Sequence, residues 1–373
     1  MLNNTTMQNV LDAVVNSHGK GVNNNKANGT ESVSGKNSTL VITEVTIYCL
    51  IFFMSTIGNV VVILVVSRKR RMQTVTNWLI VNLAVADLAV TLICIPVEIP
   101  MLLNGGIWLY GKVFCRMLYP LQTMTIYASV YTLVAMSLTR YWAIRHPFRQ
   151  QVTTKQAKIM ICFLWLASFS FVIPLILALT YNESERACVE KMTAQQSRSY
   201  TIAIFVTQYL FPLLMISFAY ILIAIELRSG PQTDASLIQQ QKRKENTKVL
   251  SMIMIVTVTF AMCVLPYHIV GLYREFSGNA SFPHSAEVSA ASFLLLFANS
   301  CLNPIIYNAF NSKFRKSFSD LWNEFIHCGK KSDYRTSPRR LQRLVSYDTN
   351  HTDLNDNERT RRTTTNRQAS TNF

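Results

Sequence analysis

Charge is what this sequence has least of. Only 15% of its 373 residues are Asp, Glu, Lys or Arg, and half are hydrophobic. A soluble domain usually carries about 25% charged residues, so a large part of the chain is expected to sit in lipid. Acids are the scarcer sign, 20 against 36 Lys and Arg, which leaves a net charge of +16. In a soluble protein that excess would point to nucleic acid. Here the basic residues stand beside apolar runs, as on the cytoplasmic side of membrane proteins, and nucleic acid is set aside as a partner. The eight cysteines, Cys49, Cys94, Cys115, Cys162, Cys188, Cys263, Cys301 and Cys328, include no CxxC pair and no metal-ligand spacing. Most lie in apolar runs, where cysteine is a small hydrophobe. There is no Ser/His/Asp set, no HExxH and no phosphate-cradling glycine loop, so no enzyme is expected. Nor is there an internal repeat of the kind that transporters show.

What is present is a series of seven long apolar runs, near 42–67, 75–103, 113–143, 158–180, 200–227, 246–274 and 286–309. Each is long enough to cross about 30 Å of hydrocarbon. An open sheet cannot cross lipid, and these runs far exceed barrel strands, so they are expected to be helices. The predicted fold is all-α, a seven-transmembrane helix bundle over 42–310. Residues 1–41 are rich in Asn, Ser, Gly and Thr and are expected to form a disordered tail. That tail holds acceptor sequons at Asn3, Asn4, Asn28 and Asn37, which suit an extracellular, glycosylated end. No signal peptide precedes the first run, which is expected to act as its own insertion signal.

Basic residues set the orientation. Ser67-Arg68-Lys69-Arg70-Arg71 fills the first short loop. Arg145, His146, Arg149, Lys155 and Lys158 mark the third, Arg228, Lys242, Arg243 and Lys244 the fifth, and Lys313, Arg315 and Lys316 the start of the C-terminal segment. The alternate loops carry Glu183, Glu185, Glu190, Glu275 and Glu287, with sequons at Asn182 and Asn279. The N-terminus is therefore expected outside a plasma membrane and the C-terminus inside. Past the last run, Phe314, Phe318, Leu321, Trp322 and Phe325 repeat at helical spacing opposite Lys313, Arg315 and Lys316. Segment 311–328 is read as an amphipathic helix on the inner leaflet. Cys328 at its end is a candidate for palmitoylation, with a free thiol as the alternative. Residues 329–373 are expected to be a disordered cytoplasmic tail, with Ser346, Thr360, Thr363, Thr364, Thr365, Ser370 and Thr371 as phosphorylation sites for a receptor kinase and arrestin.

Polar side chains at membrane depth are costly and by default functional. They are Asn59 in run one, Asp87 in run two, Ser129 in run three, and Asn299, Ser300 and Asn303 in run seven. Asp87 has no basic residue near it in sequence. A carboxylate there must be neutralised by a proton, a cation or a network of donors. Ser129, Asn299, Ser300 and Asn303 supply the oxygen and amide partners of a small cation site, read as sodium. A hydrogen-bonded network around protonated Asp87 is the alternative. In run three, Cys115 and Arg140 lie about 37 Å apart along a helix, which puts Cys115 at the outer end and Arg140 at the inner end. Cys188 falls in the long outer loop, so both thiols face an oxidising compartment and a Cys115–Cys188 disulfide is predicted.

These pieces resemble the rhodopsin-like (class A) G-protein-coupled receptors over roughly residues 42–328. The resemblance rests on Gly58-Asn59-Val60, Leu83-Ala84-Val85-Ala86-Asp87, Trp108 and Gly111 before Cys115, Arg140-Tyr141 with Pro147, Trp165, Pro212 and Tyr220, Phe260, Cys263 and Pro266-Tyr267, and Asn303-Pro304-Ile305-Ile306-Tyr307. The resemblance implies that Arg140, with Tyr141, Tyr220 and Tyr307, meets a heterotrimeric G protein. It also implies that Asp87, Ser129, Asn299, Ser300 and Asn303 form the family's sodium pocket, with no other cofactor. Val130, Pro212 and Phe260 fall where the family keeps its mid-bundle transmission cluster. Three positions depart from the pattern. Thr139 stands where the family has an acid before the arginine, Asn246 replaces the acid at the base of span six, and Val264 replaces the span-six tryptophan. Arg140 thus lacks its usual charge partner. The inactive state is expected to be held less tightly, unless the Thr139 hydroxyl and its neighbours restrain Arg140.

Gln122 occupies the span-three place where amine receptors carry aspartate, and run seven has no lysine for retinal. The resemblance is to neuropeptide receptors of the orexin, neuropeptide Y and RF-amide types. Glu98, Gln122, Thr123, Glu190, Tyr267, His268 and Phe293 are the candidate ligand residues. Together they describe an amphipathic cleft with an acidic mouth, suited to a basic or amidated peptide. Glu98 has the competing reading of a partner for Lys112 or Arg116. A lipid or other small molecule is the alternative ligand within the same fold, and a transporter is the remote one.

Overall fold

A computed structural model describes residues 38–147, 149–229, 237–277 and 284–326. Seven helices in it are long and apolar enough to cross a membrane: Thr39–Arg68, Val75–Leu103, Gly111–Arg145, Thr154–Ala178, Ala194–Arg228, Asn246–Phe276 and Ser285–Phe310, called spans one to seven below. Large apolar side chains project outward from them. Leu177 is 77% exposed, and Phe53, Phe163, Leu166, Leu214 and Met262 are exposed as well. A surface this apolar is stable only against lipid, and the chain is a multi-pass membrane protein. The sequons Asn3, Asn4, Asn28, Asn37 and Asn279, Cys328 and the phosphorylation sites of the tail lie outside the described residues.

Spans four and five begin earlier than their hydrophobicity predicts, and for one reason. Thr153 and Gln156, and again Thr193 and Gln196, form reciprocal capping boxes in which the threonine hydroxyl accepts from the glutamine N–H and the glutamine oxygen accepts from the threonine N–H. Each box satisfies orphan amide donors and starts its helix in polar sequence. Two spans are also locally underwound. Val90–Cys94 in span two and Phe205–Leu210 in span five form π turns. Such bulges collect at functional sites because they rotate the residues beyond them.

Inside the bundle polar residues tie spans together, the expected Asn59 and also Asn82. Asn59 donates to the Ser55 carbonyl at 3.0 Å and to the Ser300 carbonyl of span seven at 2.9 Å. Asn82 donates to Thr132 at 2.8 Å and accepts from the Trp165 indole at 2.8 Å, linking spans two, three and four. Spans one and seven touch backbone to ring. A Cβ on Gly58 would meet Pro304 at 2.9 Å.

One feature departs from an all-α chain. Leu179–Asn182 (β1) and Ala187–Glu190 (β2) pair antiparallel, with Tyr181 opposite Cys188, as a hairpin after span four. The predicted Cys115–Cys188 disulfide is present, with Cα atoms 5.5 Å apart. The Arg186 carbonyl on the hairpin turn accepts from the Trp108 N–H at 2.9 Å. Trp108 is buried and its indole donates to the Gly111 carbonyl at 2.8 Å. Gly111 takes φ +68 at the start of span three, a conformation that favours glycine.

The chain divides into two compact units, Met1–Ser319 and Asp320–Phe373. The terminal helix, Ser312–Ile326, opens within the first. There Asn311 caps it by accepting from the Lys313 N–H at 3.0 Å, and Phe314 is fully buried with its ring 5.7 Å from that of Tyr307. In the second unit the described residues are the end of this helix, where Trp322 and Ile326 are exposed.

Candidate functional site

A cavity of about 890 Å³ opens among spans three, five, six and seven beside β2. It collects six of the seven candidate ligand residues: Gln122, Thr123, Glu190, Tyr267, His268 and Phe293. Aromatic rings furnish its wall. His268 lies 5.8 Å from Phe205, 5.3 Å from Tyr209 and 5.5 Å from Tyr267, and Tyr267 lies 5.6 Å from Phe293. The span-five π turn contributes Phe205 and Tyr209 to this cluster. Gln122 and His268 are buried, and Gln122 Nε2 and His268 Nε2 have no hydrogen-bond partner among the described residues. Polar atoms left open in this way are costly without a partner, and both belong to the cavity lining.

Glu98 is the exception. It does not line the cavity. It lies on span two within electrostatic reach of Tyr48, Tyr110 and Tyr119. Its proposed cationic partners are engaged elsewhere: Lys112 Nζ lies 2.7 Å from Glu183, and Arg116 donates to the Leu179 carbonyl at 3.1 Å. The acidic contribution to the cavity is therefore Glu190, held two residues past Cys188 on the hairpin. Sequence reading missed Arg274, which also lines the cavity and donates through Nη2 to Ser289 Oγ of span seven. The signal was present: Tyr267, Val270, Gly271 and Arg274 recur at i, i+3, i+4 and i+7, one helix face.

A second cavity, about 320 Å³, lies deeper and is lined by Asp87, Ser129, Asn299 and Ser300 together with Phe260, Val264 and Gln122. Asn303 completes the set by donating to Asp87 Oδ2 at 2.9 Å. The Oδ1 atoms of Asn299 and Asn303 are buried without a partner among the described residues. Gln122 lines both cavities, so it forms part of the boundary between them. Val264, where the resemblance predicts a tryptophan, lines the deeper cavity.

At the Arg140 end, the guanidinium donates through Nη2 to Thr76 Oγ1 of span two. Arg140 Nε has no partner among the described residues. Thr139 plays no part in holding it, since its hydroxyl donates back to the Ala135 and Met136 carbonyls of its own helix at 2.8 and 3.0 Å. Tyr141 is half-buried one residue on. Tyr220 donates to the Leu250 carbonyl of span six at 3.4 Å, and the buried Tyr307 hydroxyl has no partner among the described residues. Arg145 and Glu226 pair at 3.0 Å between spans three and five. Asn182 closes β1, and its side-chain oxygen accepts from the Ser184 N–H and hydroxyl.

Comparison with known proteins agrees with this geometry. Residues 58–307 match the family described as 7 transmembrane receptor (rhodopsin family). Galanin receptor 2a of Danio rerio is 33% identical over 284 residues, covering 74% of this chain and 77% of that protein. Neuropeptide FF receptor 2 of Rattus norvegicus is 33% identical over 306 residues, covering 76% and 72%. The QRFP-like peptide receptor of Branchiostoma floridae is 30% identical over 313 residues, covering 79% and 80%. By that match over residues 58–307 and by these relatives, the chain belongs to the rhodopsin family of seven-transmembrane receptors.

Proposed function

We propose that this protein is a plasma-membrane receptor, N-terminus outside, that binds an extracellular neuropeptide and activates a heterotrimeric G protein. The single observation that carries the ligand class is the 890 Å³ aromatic-walled cavity with Glu190 buried in its lining. An aromatic peptide end fits among Phe205, Tyr267, His268 and Phe293, with the Gln122 amide and the His268 imidazole available to a terminal amide. A basic residue then faces Glu190, where a charge-assisted hydrogen bond away from water is strong. The names of the three relatives, receptors for galanin, neuropeptide FF and a QRFP-like peptide, point the same way.

The deeper cavity fits sodium. Its lining groups offer oxygen ligands, which suit a hard cation, and the open Oδ1 atoms of Asn299 and Asn303 are acceptors in want of a donor or a cation. Asp87, Ser129, Asn299, Ser300 and Asn303 would hold the ion, which would compensate the Asp87 charge. Gln122 borders both cavities, so a peptide that displaces it couples the outer cavity to the inner one. Arg140, released from Thr76, is the group for the G protein, flanked by Tyr141, Tyr220 and Tyr307. Kinase and arrestin are proposed to act on the C-terminal tail.

The test is expression in cells carrying a promiscuous Gα subunit and a screen against amidated neuropeptides. An agonist of this class should be found, and Glu190→Lys should weaken it at least tenfold without loss of surface labelling. Agonist potency that survives charge reversal at Glu190 would sink the basic-peptide reading.

A further inference from the structure

We infer that Arg274 receives an acidic group of the ligand, so that the peptide presents a carboxylate at the span-six side of the cavity while its basic residue faces Glu190. This rests on the peptide reading above and adds a second, opposite pole to it. Arg274 is partly buried and lines the cavity seven residues beyond Tyr267, about 10 Å further along the same helix face. Its guanidinium is fixed in place by donation to Ser289 Oγ, and Ser289 in turn donates to the Ser285 carbonyl of its own helix. That single bond uses one of five N–H donors.

Arg274 forms no ion pair with any acid among the described residues. The neighbouring Glu275 is turned to span five, where its Oε2 accepts from Ser197 at 3.0 Å, and Glu287 lies 3.9 Å from His284. A guanidinium withdrawn from water without an anion is costly. A planar carboxylate answers its fork with two parallel hydrogen bonds, which a neutral amide cannot do. With Glu190 on β2 and Arg274 on span six, the cavity carries separated charges of opposite sign. A ligand with one basic and one acidic side chain would complement both.

The experiment uses the full-length receptor in the promiscuous-Gα cells and a positional-scanning library of N-acetylated hexapeptide amides, whose blocked ends remove terminal charge. At one position, pools fixed as Asp or Glu should be at least tenfold more potent than pools fixed as Asn or Gln. Arg274→Gln should abolish that preference, Arg274→Lys should retain part of it, and Arg274→Glu should shift the preference toward Lys and Arg at the same position. Surface labelling confirms that each variant reaches the membrane, and Arg274→Lys keeps the test informative if the Gln variant folds poorly. Activation with no preference for acid over amide overturns this inference alone. An acid preference that persists in Arg274→Gln does the same. Silence from every pool at a labelled receptor overturns the peptide reading and this inference with it.

Discussion

At the scale of the residue, Arg140 is held by a neighbour that its own sequence context does not reveal. The family pattern puts an acid at the position of Thr139, and the loss of that acid leaves the arginine without its usual charge partner. The Thr139 hydroxyl is spent on its own helix, and the restraint comes from Thr76, 64 positions earlier. A hydrogen bond from a charged donor is worth about 1.5–3 kcal/mol, and a part of that, roughly 1 kcal/mol or about fivefold, is expected to distinguish the two states. Thr76→Val should raise basal second-messenger output several-fold without ligand. Thr139→Asp should lower it, because a carboxylate beside Arg140 adds the missing charge pair. If basal output is unchanged in both variants, neither position governs the resting state.

At the scale of the element, most of what makes the helices is local and readable, and the exceptions have physical causes. The seven apolar runs mark the spans to within a few residues except where capping boxes extend spans four and five into polar sequence. The π turns and the hairpin were not foreseen, because an underwound turn leaves no compositional mark and four-residue strands are too short for a periodic signal. The glycine at 58 was legible as a motif but not as a contact. Its reason is Pro304, whose ring atoms stand where a Cβ would project. A proline ring cannot turn aside as a flexible chain can, so spans one and seven would have to part. Gly58→Ala should cost about 1–3 kcal/mol, read as a lowered melting temperature of the purified receptor in detergent. A melting curve that overlays the parent would mean that the two spans separate freely.

At the scale of the whole molecule, the disulfide between span three and the hairpin does two jobs. It closes a separation of 73 residues, for which chain-entropy reasoning gives about 4 kcal/mol. It also fixes β2, and with it Glu190, against the cavity. Cys188→Ser should therefore lower both thermal stability and agonist potency, and a further Glu190→Gln change should then cost much less potency than it does in the parent. Additive losses would show that Glu190 is positioned without the disulfide. The same scale explains the candidate ligand residues. Gln122 and Thr123 of span three, Tyr267 and His268 of span six and Phe293 of span seven line the cavity. Glu98 does not, since depth alone says nothing about which way span two is turned after the π turn at Val90–Cys94.

Hydropathy, basic-residue asymmetry and ordered motifs determined the span count, the expected topology, the disulfide and the identities of the polar groups at membrane depth, because lipid imposes length and satisfaction rules that act on each segment separately. Tertiary structure alone decided which of those groups share a cavity, that Thr76 and not Thr139 holds Arg140, that Glu98 stays outside the ligand cavity while Arg274 lines it, and that Gln122 borders two cavities at once. Those outcomes depend on the rotation of each helix about its own axis, and that angle is set by packing between segments far apart in the chain.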